Sequence, residues 1–83
     1  MISSKEIVEQ YSIISHNIKY YRNKQKLSQE KLAEKSDLSI SYIKQLESGK
    51  IFKNITLTTL LKLSKALNIS VNKLFYKIKT TTK

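Results

Sequence analysis

The sequence predicts an all-α protein: five helices around one core, the second and third forming a helix-turn-helix, with a helical extension in front. Three observations carry this. Apolar residues recur three and four apart along most of the chain, the spacing of one helix face. Serine or threonine stands just before each apolar set, at Ser3 or Ser4, Ser28, Ser39, Thr56 and Ser70, where a hydroxyl can accept from an orphan N–H of the first turn. No stretch shows sustained period-two alternation, so no strand is predicted.

The first apolar stripe is Ile7, Tyr11, Ile14, Ile18 and Tyr21. Ser3 or Ser4 caps it and Glu6 sits in its first turn, where a carboxylate suits the helix dipole. Residues 2 to 25 are therefore read as helical, with Ser12 and Ser15 the places where a break could fall. Leu27 closes this helix against the core. Residues 28 to 35 form the second helix, with Leu32 and Ala33 as its small apolar face. Ser36 to Leu38 make the turn, and residues 39 to 48 the third helix, with Ile43 and Leu46 inward. Gly49 ends it in the left-handed conformation. Residues 50 to 55 form a loop. A fourth helix over 57 to 67 buries Leu57, Leu60, Leu61, Leu63, Ala66 and Leu67, with Asn68 as its left-handed terminator. Val71 to about Tyr76 form a short fifth helix, and the lysine and threonine tail frays.

Two helices of about eight residues joined by a tight turn are the helix-turn-helix, whose second helix enters the DNA major groove. The segment resembles that of the lambda-repressor/Cro family, also called the xenobiotic-response-element family. The resemblance rests on Arg22, Leu27-Ser28-Gln29, Leu32-Ala33, Leu38-Ser39, Ile43 and Leu46-Glu47-Ser48-Gly49. Leu57, Leu60-Leu61, Leu63, Ala66-Leu67 and Leu74-Phe75 extend it. It spans about residues 14 to 76 of one domain, leaving 1 to 13 as the extension and 79 to 83 as the tail. Asp37 departs from it, since the family usually has glycine in the turn, and the loop after Gly49 is slightly long, with Ile55 where proline is frequent.

The resemblance implies a five-helix lambda-repressor-like fold and sequence-specific binding of double-stranded DNA, as a homodimer controlling transcription. Ile40, Ser41 and Gln45 match the family's base-reading positions, and Lys44 lies beside them. The chemistry fits: glutamine can pair with adenine, lysine can reach guanine, and isoleucine can pack on a thymine methyl. Ser28, Gln29, Ser39 and Tyr42 read as DNA-backbone contacts, together with Lys50 and Lys53 after the third helix. Arg22 and Glu47 match a structural ion pair of the family, for which a planar guanidinium is suited.

Charge points the same way. Sixteen Lys and Arg against six Asp and Glu give a formal charge of +10, and no acidic residue follows Glu47. Such an excess suits a polyanion, because neutralised phosphates release counterions. With no cysteine and one histidine, neither a disulfide framework nor a metal site is expected, and no cofactor. No Ser/His/Asp set or glycine-rich phosphate loop suggests an enzyme. No apolar run approaches a membrane span, so a cytoplasmic protein is expected, without a small-molecule effector; a bacterial or phage origin is what the resemblance implies.

Val71, Leu74, Phe75 and Ile78 lie at helical spacing and are read as the homodimer interface, with Ile7 and Tyr11 needing cover as well. The chain resembles the small repressors of phages and mobile elements. It also resembles the controllers of restriction–modification systems, which share its length and the Asn-Ile-Thr-Leu lead-in to the fourth helix. The rival reading is an antitoxin or protein-interaction module that uses the N-terminal apolar stripe.

Overall fold

A computed structural model describes residues 3–49 and 55–78. Helix α1, Ser4–Lys24, opens with a reciprocal capping box: the Glu6 N–H donates to Ser3 Oγ at 3.1 Å and the Ser3 N–H donates to Glu6 Oε1 at 2.8 Å. It runs unbroken through Ser12 and Ser15, so the extension and the first helix of the domain are one rod. Lys26, at φ 59°, then reverses the chain, and the Leu27 N–H returns to the Arg22 carbonyl. The Gln25 side chain donates to the Leu67 carbonyl across the fold.

Helix α2, Gln29–Ser36, is capped by Ser28, whose Oγ accepts from the Lys31 N–H. Ser36 ends it, buried, with its hydroxyl donating back to the Leu32 carbonyl at 2.7 Å. Asp37 makes the turn in the left-handed region, φ 58°. Helix α3, Ile40–Ser48, starts on the Ser39 cap and stops at Gly49, φ 74°. Helix α4, Leu57–Ala66, starts on Thr56, and Asn68 at φ 55° turns the chain after it. Ile14 and Ile18 of α1, Leu32 and Ala33 of α2, Ile43 and Leu46 of α3, and Leu60, Leu63 and Leu67 meet in one core. Burying each large member contributes about 1.5–3 kcal/mol.

Three expectations need correction. Among the described residues there are four α-helices, not five: Val71–Leu74 is a single 3-10 turn. The Ser70 hydroxyl makes no cap bond, and the carbonyls of the turn are taken by a side chain of α1 instead of by a continuing helix. That side chain is the fully buried Asn17, whose Nδ2 lies 2.9 Å from the Leu74 oxygen, 2.8 Å from that of Tyr76 and 3.3 Å from that of Lys73. Leu74 is likewise 0% exposed, so it completes the core of one chain and cannot be an interface residue. Finally, Leu57 and Leu61 are on the surface of α4, not in the core. Leu61 lies about 100° round the helix from Leu60, which takes the inward position.

Candidate nucleic-acid interface

The turn at Asp37 holds α2 and α3 together as one unit. A serine caps the start of each. Ser28 Oγ and Ser39 Oγ each accept from the N–H three residues on, at 2.9 and 3.1 Å. A cap of this kind satisfies one of the four orphan N–H groups of a helix start and leaves the others, with the positive end of the dipole, facing solvent. A helix start of this kind is suited to a phosphate.

On α3 the inward and outward residues separate cleanly. Ile43 and Leu46 are fully buried, while Ser41, Lys44 and Gln45 are exposed. Ile40 is half-buried and packs against the core, so only part of it is available. Tyr42 is half-buried in the same way, on the side of α3 that meets the core. Ser28 and Ser39 are exposed. Lys50 and Lys53 lie outside the described residues.

A polar cluster beneath this surface fixes how α3 sits. Arg22 Nε and Nη2 donate to the two oxygens of Glu47 at 2.6 and 2.9 Å, and Nη1 donates to the Leu27 carbonyl at 2.7 Å. The two side chains are 11% and 3% exposed. Gln29 Nε2 donates to Glu47 Oε1 at 3.1 Å, so the first residue of α2, the last turn of α3 and the end of α1 share one carboxylate. The Gln29 amide keeps a second N–H. Sequence reasoning assigned Gln29 to the DNA backbone and missed its bond to Glu47, and it gave Asn17 no role, because an asparagine in mid-helix carries no local signal of a distant partner. Among the described residues no group of His, Asp and Glu could hold a metal, and no helix is long and apolar enough to cross a membrane.

Capped twin helices, an exposed polar face on the second, and a buried ion pair locking it to the scaffold are the parts of a helix-turn-helix, the motif of a class of DNA-binding regulators. Residues 18–74 match the helix-turn-helix family, and the chain belongs to it, in its lambda-repressor/Cro branch. Control protein C.SmaI of Serratia marcescens is 50% identical over 62 residues, which are 75% of this chain and 71% of that one. The fold matches the restriction-modification controller protein C.AhdI from Aeromonas hydrophila with a TM-score of 0.74 and 34% identity, over 81% of this chain and 98% of that one. It also matches a hypothetical transcription factor from Neisseria with a TM-score of 0.75 and 25% identity, over 82% of this chain and 76% of that one.

Proposed function

We propose that this regulator is the controller of a restriction–modification system and binds a two-fold duplex operator as a homodimer. The observation that carries the reading is the likeness to C.AhdI across 98% of that controller's chain. The phage-repressor reading has no comparable support. In the proposed complex Ser41, Lys44, Gln45 and the exposed part of Ile40 meet base edges. Ser28, Gln29, Ser39 and Tyr42 hold the phosphate backbone, with Lys50 and Lys53 beside them. Two copies present two such heads to half-sites about one helical turn apart. Of the residues first assigned to the interface between copies, Val71, Phe75 and Ile78 keep some exposure and Leu74 does not.

Selection of bound duplexes from a random pool tests this. One enriched sequence with two-fold symmetry is expected, bound with an affinity that falls steeply as salt rises. Equal affinity for the enriched and scrambled duplexes would remove the regulator reading. An enriched sequence that recurs upstream of a restriction–modification operon, and not in a phage control region, separates the two subclasses.

A further inference from the structure

The positive charge of the chain does not lie on the helix-turn-helix itself. Over residues 28 to 49 three lysines stand against four carboxylates, Glu30, Glu34, Asp37 and Glu47, so α2 and α3 together carry one more negative than positive charge. Residues 10 to 27, by contrast, hold Lys19, Arg22, Lys24 and Lys26 and no acidic residue. Arg22 is engaged with Glu47 inside the protein. Lys19, Lys24 and Lys26 are exposed and, among the described residues, form no salt bridge. On the outward face of α1 an open groove of about 550 Å³ is lined by His16, Lys19, Tyr20, Asn23 and Lys24, all from that one helix. Tyr20 stands edge-on to Tyr21, with ring centres 5.1 Å apart, and the Lys24 ammonium lies 5.8 Å from the centre of the Tyr20 ring. A cation over an aromatic face is held there by the ring's quadrupole, so this ammonium has a preferred position on the groove.

Lys26 ties this face to α2. It sits at φ 59°, a left-handed conformation that glycine adopts freely and lysine does not. Such strain persists where the surroundings fix it. Here the Leu27 N–H returns to the Arg22 carbonyl, and Arg22 Nη1 holds the Leu27 carbonyl at 2.7 Å. Lys26 is thereby fixed two residues ahead of Ser28, the cap of α2 and a residue assigned above to the phosphate backbone. We propose that Lys19, Asn23, Lys24 and Lys26 form a second phosphate-binding track, which grips the duplex beyond the base pairs read by α3. The proposal deepens the DNA-binding reading and rests on it. Lys26 opens the track beside α2, and Lys24 and Lys19 continue it along α1. The last two are five residues apart, about 7.5 Å of helix, which matches the axial rise of about two base pairs. Duplex is favoured over an acidic protein as the occupant because the track runs on, through Lys26, from the backbone contacts proposed at Ser28 and Gln29. Contacts of this kind carry no sequence information: they add affinity and salt dependence and leave base choice to α3. They also supply the attraction for a polyanion that α2 and α3, by their own charge, do not.

Fluorescence anisotropy with the full chain and two operator duplexes, over a range of salt, tests it. One duplex ends at the outermost base pair that sets specificity. The other continues on each side for about ten base pairs of scrambled sequence, one helical turn. Lys19→Gln and Lys24→Gln each remove a charge and keep the helix propensity. Each is expected to weaken binding of the long duplex several-fold and to lower its salt slope by about 0.9 per bound copy. Each should leave the short duplex and the base preferences unchanged. Lys26→Gly also removes the backbone strain, so it is expected to melt no lower than the wild type and yet to weaken both duplexes, because it stands beside α2. Equal losses on both duplexes in Lys19→Gln and Lys24→Gln overturn the track, and so does no loss on either, which would leave this face to an acidic protein. A wild type that binds operator and scrambled duplexes alike overturns the regulator reading itself, and that result is seen before any variant is compared.

Discussion

Arg22 and Glu47 meet through two parallel hydrogen bonds, 2.6 and 2.9 Å, between the end of α1 and the last turn of α3. The guanidinium also holds the Leu27 carbonyl and the carboxylate also holds Gln29, so the positions of α1, α2 and α3 converge on one ion pair. Fork-to-fork geometry makes such a pair directional as well as attractive. Its energetic worth against an apolar replacement is small, because desolvating two charges offsets their attraction; its worth against a missing partner is large.

Arg22→Ala and Glu47→Ala are each expected to cost on the order of 3 kcal/mol, because each leaves a desolvated charge without its partner. In a domain of this size that lowers the melting temperature by more than about 10 °C. The double variant is expected to lose much less than the sum of the two. Additive losses in the cycle would show that the pair contributes no coupling.

Asp37 sits at φ 58° in the turn between α2 and α3, the single departure from glycine in that motif. A Cβ there costs about 1 kcal/mol, and the Lys62 contact at 3.8 Å reaches a side chain 96% exposed, which offsets little. Asp37→Gly is therefore expected to raise the melting temperature by a few degrees, less than the strain alone predicts because glycine also gains freedom in the unfolded chain. A fall in melting temperature would mean that the aspartate stabilises the turn in a way its backbone angle does not reveal.

The boundaries of α2, α3 and α4 were legible to within one residue because the signals are local. A capping serine or threonine, an apolar pair three or four apart, and a left-handed terminator lie within one short window. The two sides of α3 were legible for the same reason, since Ile43 and Leu46 inward leave Ser41, Lys44 and Gln45 outward. What was not legible is how the apolar residues divide between core and surface. Leu74 and Leu57 are both leucines at helical spacing near a cap, yet one is 0% and the other 64% exposed. That outcome depends on which element packs opposite, and periodicity within one helix carries no such information. The last turn shows the same limit. Its shape depends on Asn17, 57 positions from Leu74, and no local pattern joins the two.

Asn17→Ala is expected to loosen the C-terminal turn selectively. The Nδ2 group satisfies the carbonyls of Leu74 and Tyr76, and without it buried acceptors lose their donor, at about 1–3 kcal/mol. Amide exchange should accelerate at residues 71–78 more than in α2 and α3. Asn17→Asp is expected to be worse, since it sets a carboxylate against the same carbonyls. Uniform exchange across the chain in Asn17→Ala would argue that the turn stays docked by packing alone.

For DNA, Ser41→Ala and Gln45→Ala are expected to change which bases are preferred, each by about 1–3 kcal/mol of discrimination at its own position. Lys50→Ala should weaken all duplexes alike and reduce the salt slope by about one unit. Competition against single-base operator variants separates these outcomes. Uniform loss in the Gln45 variant would move it from the base edges to the phosphates.

Leu74→Ala and Phe75→Ala separate the core from the surface at adjacent residues. Leu74 is fully enclosed, so shortening it opens a cavity and is expected to cost about 2–5 kcal/mol, whatever the protein concentration. Phe75 is 37% exposed on the rim of an apolar groove, and its removal takes away less enclosed area within one chain. Its effect is expected in association instead: a melting temperature that depends on concentration in the wild type and depends on it less in Phe75→Ala. Thermal melts over a hundredfold range of concentration read both. A concentration-dependent loss in Leu74→Ala matched by none in Phe75→Ala would reverse the assignment of the two residues.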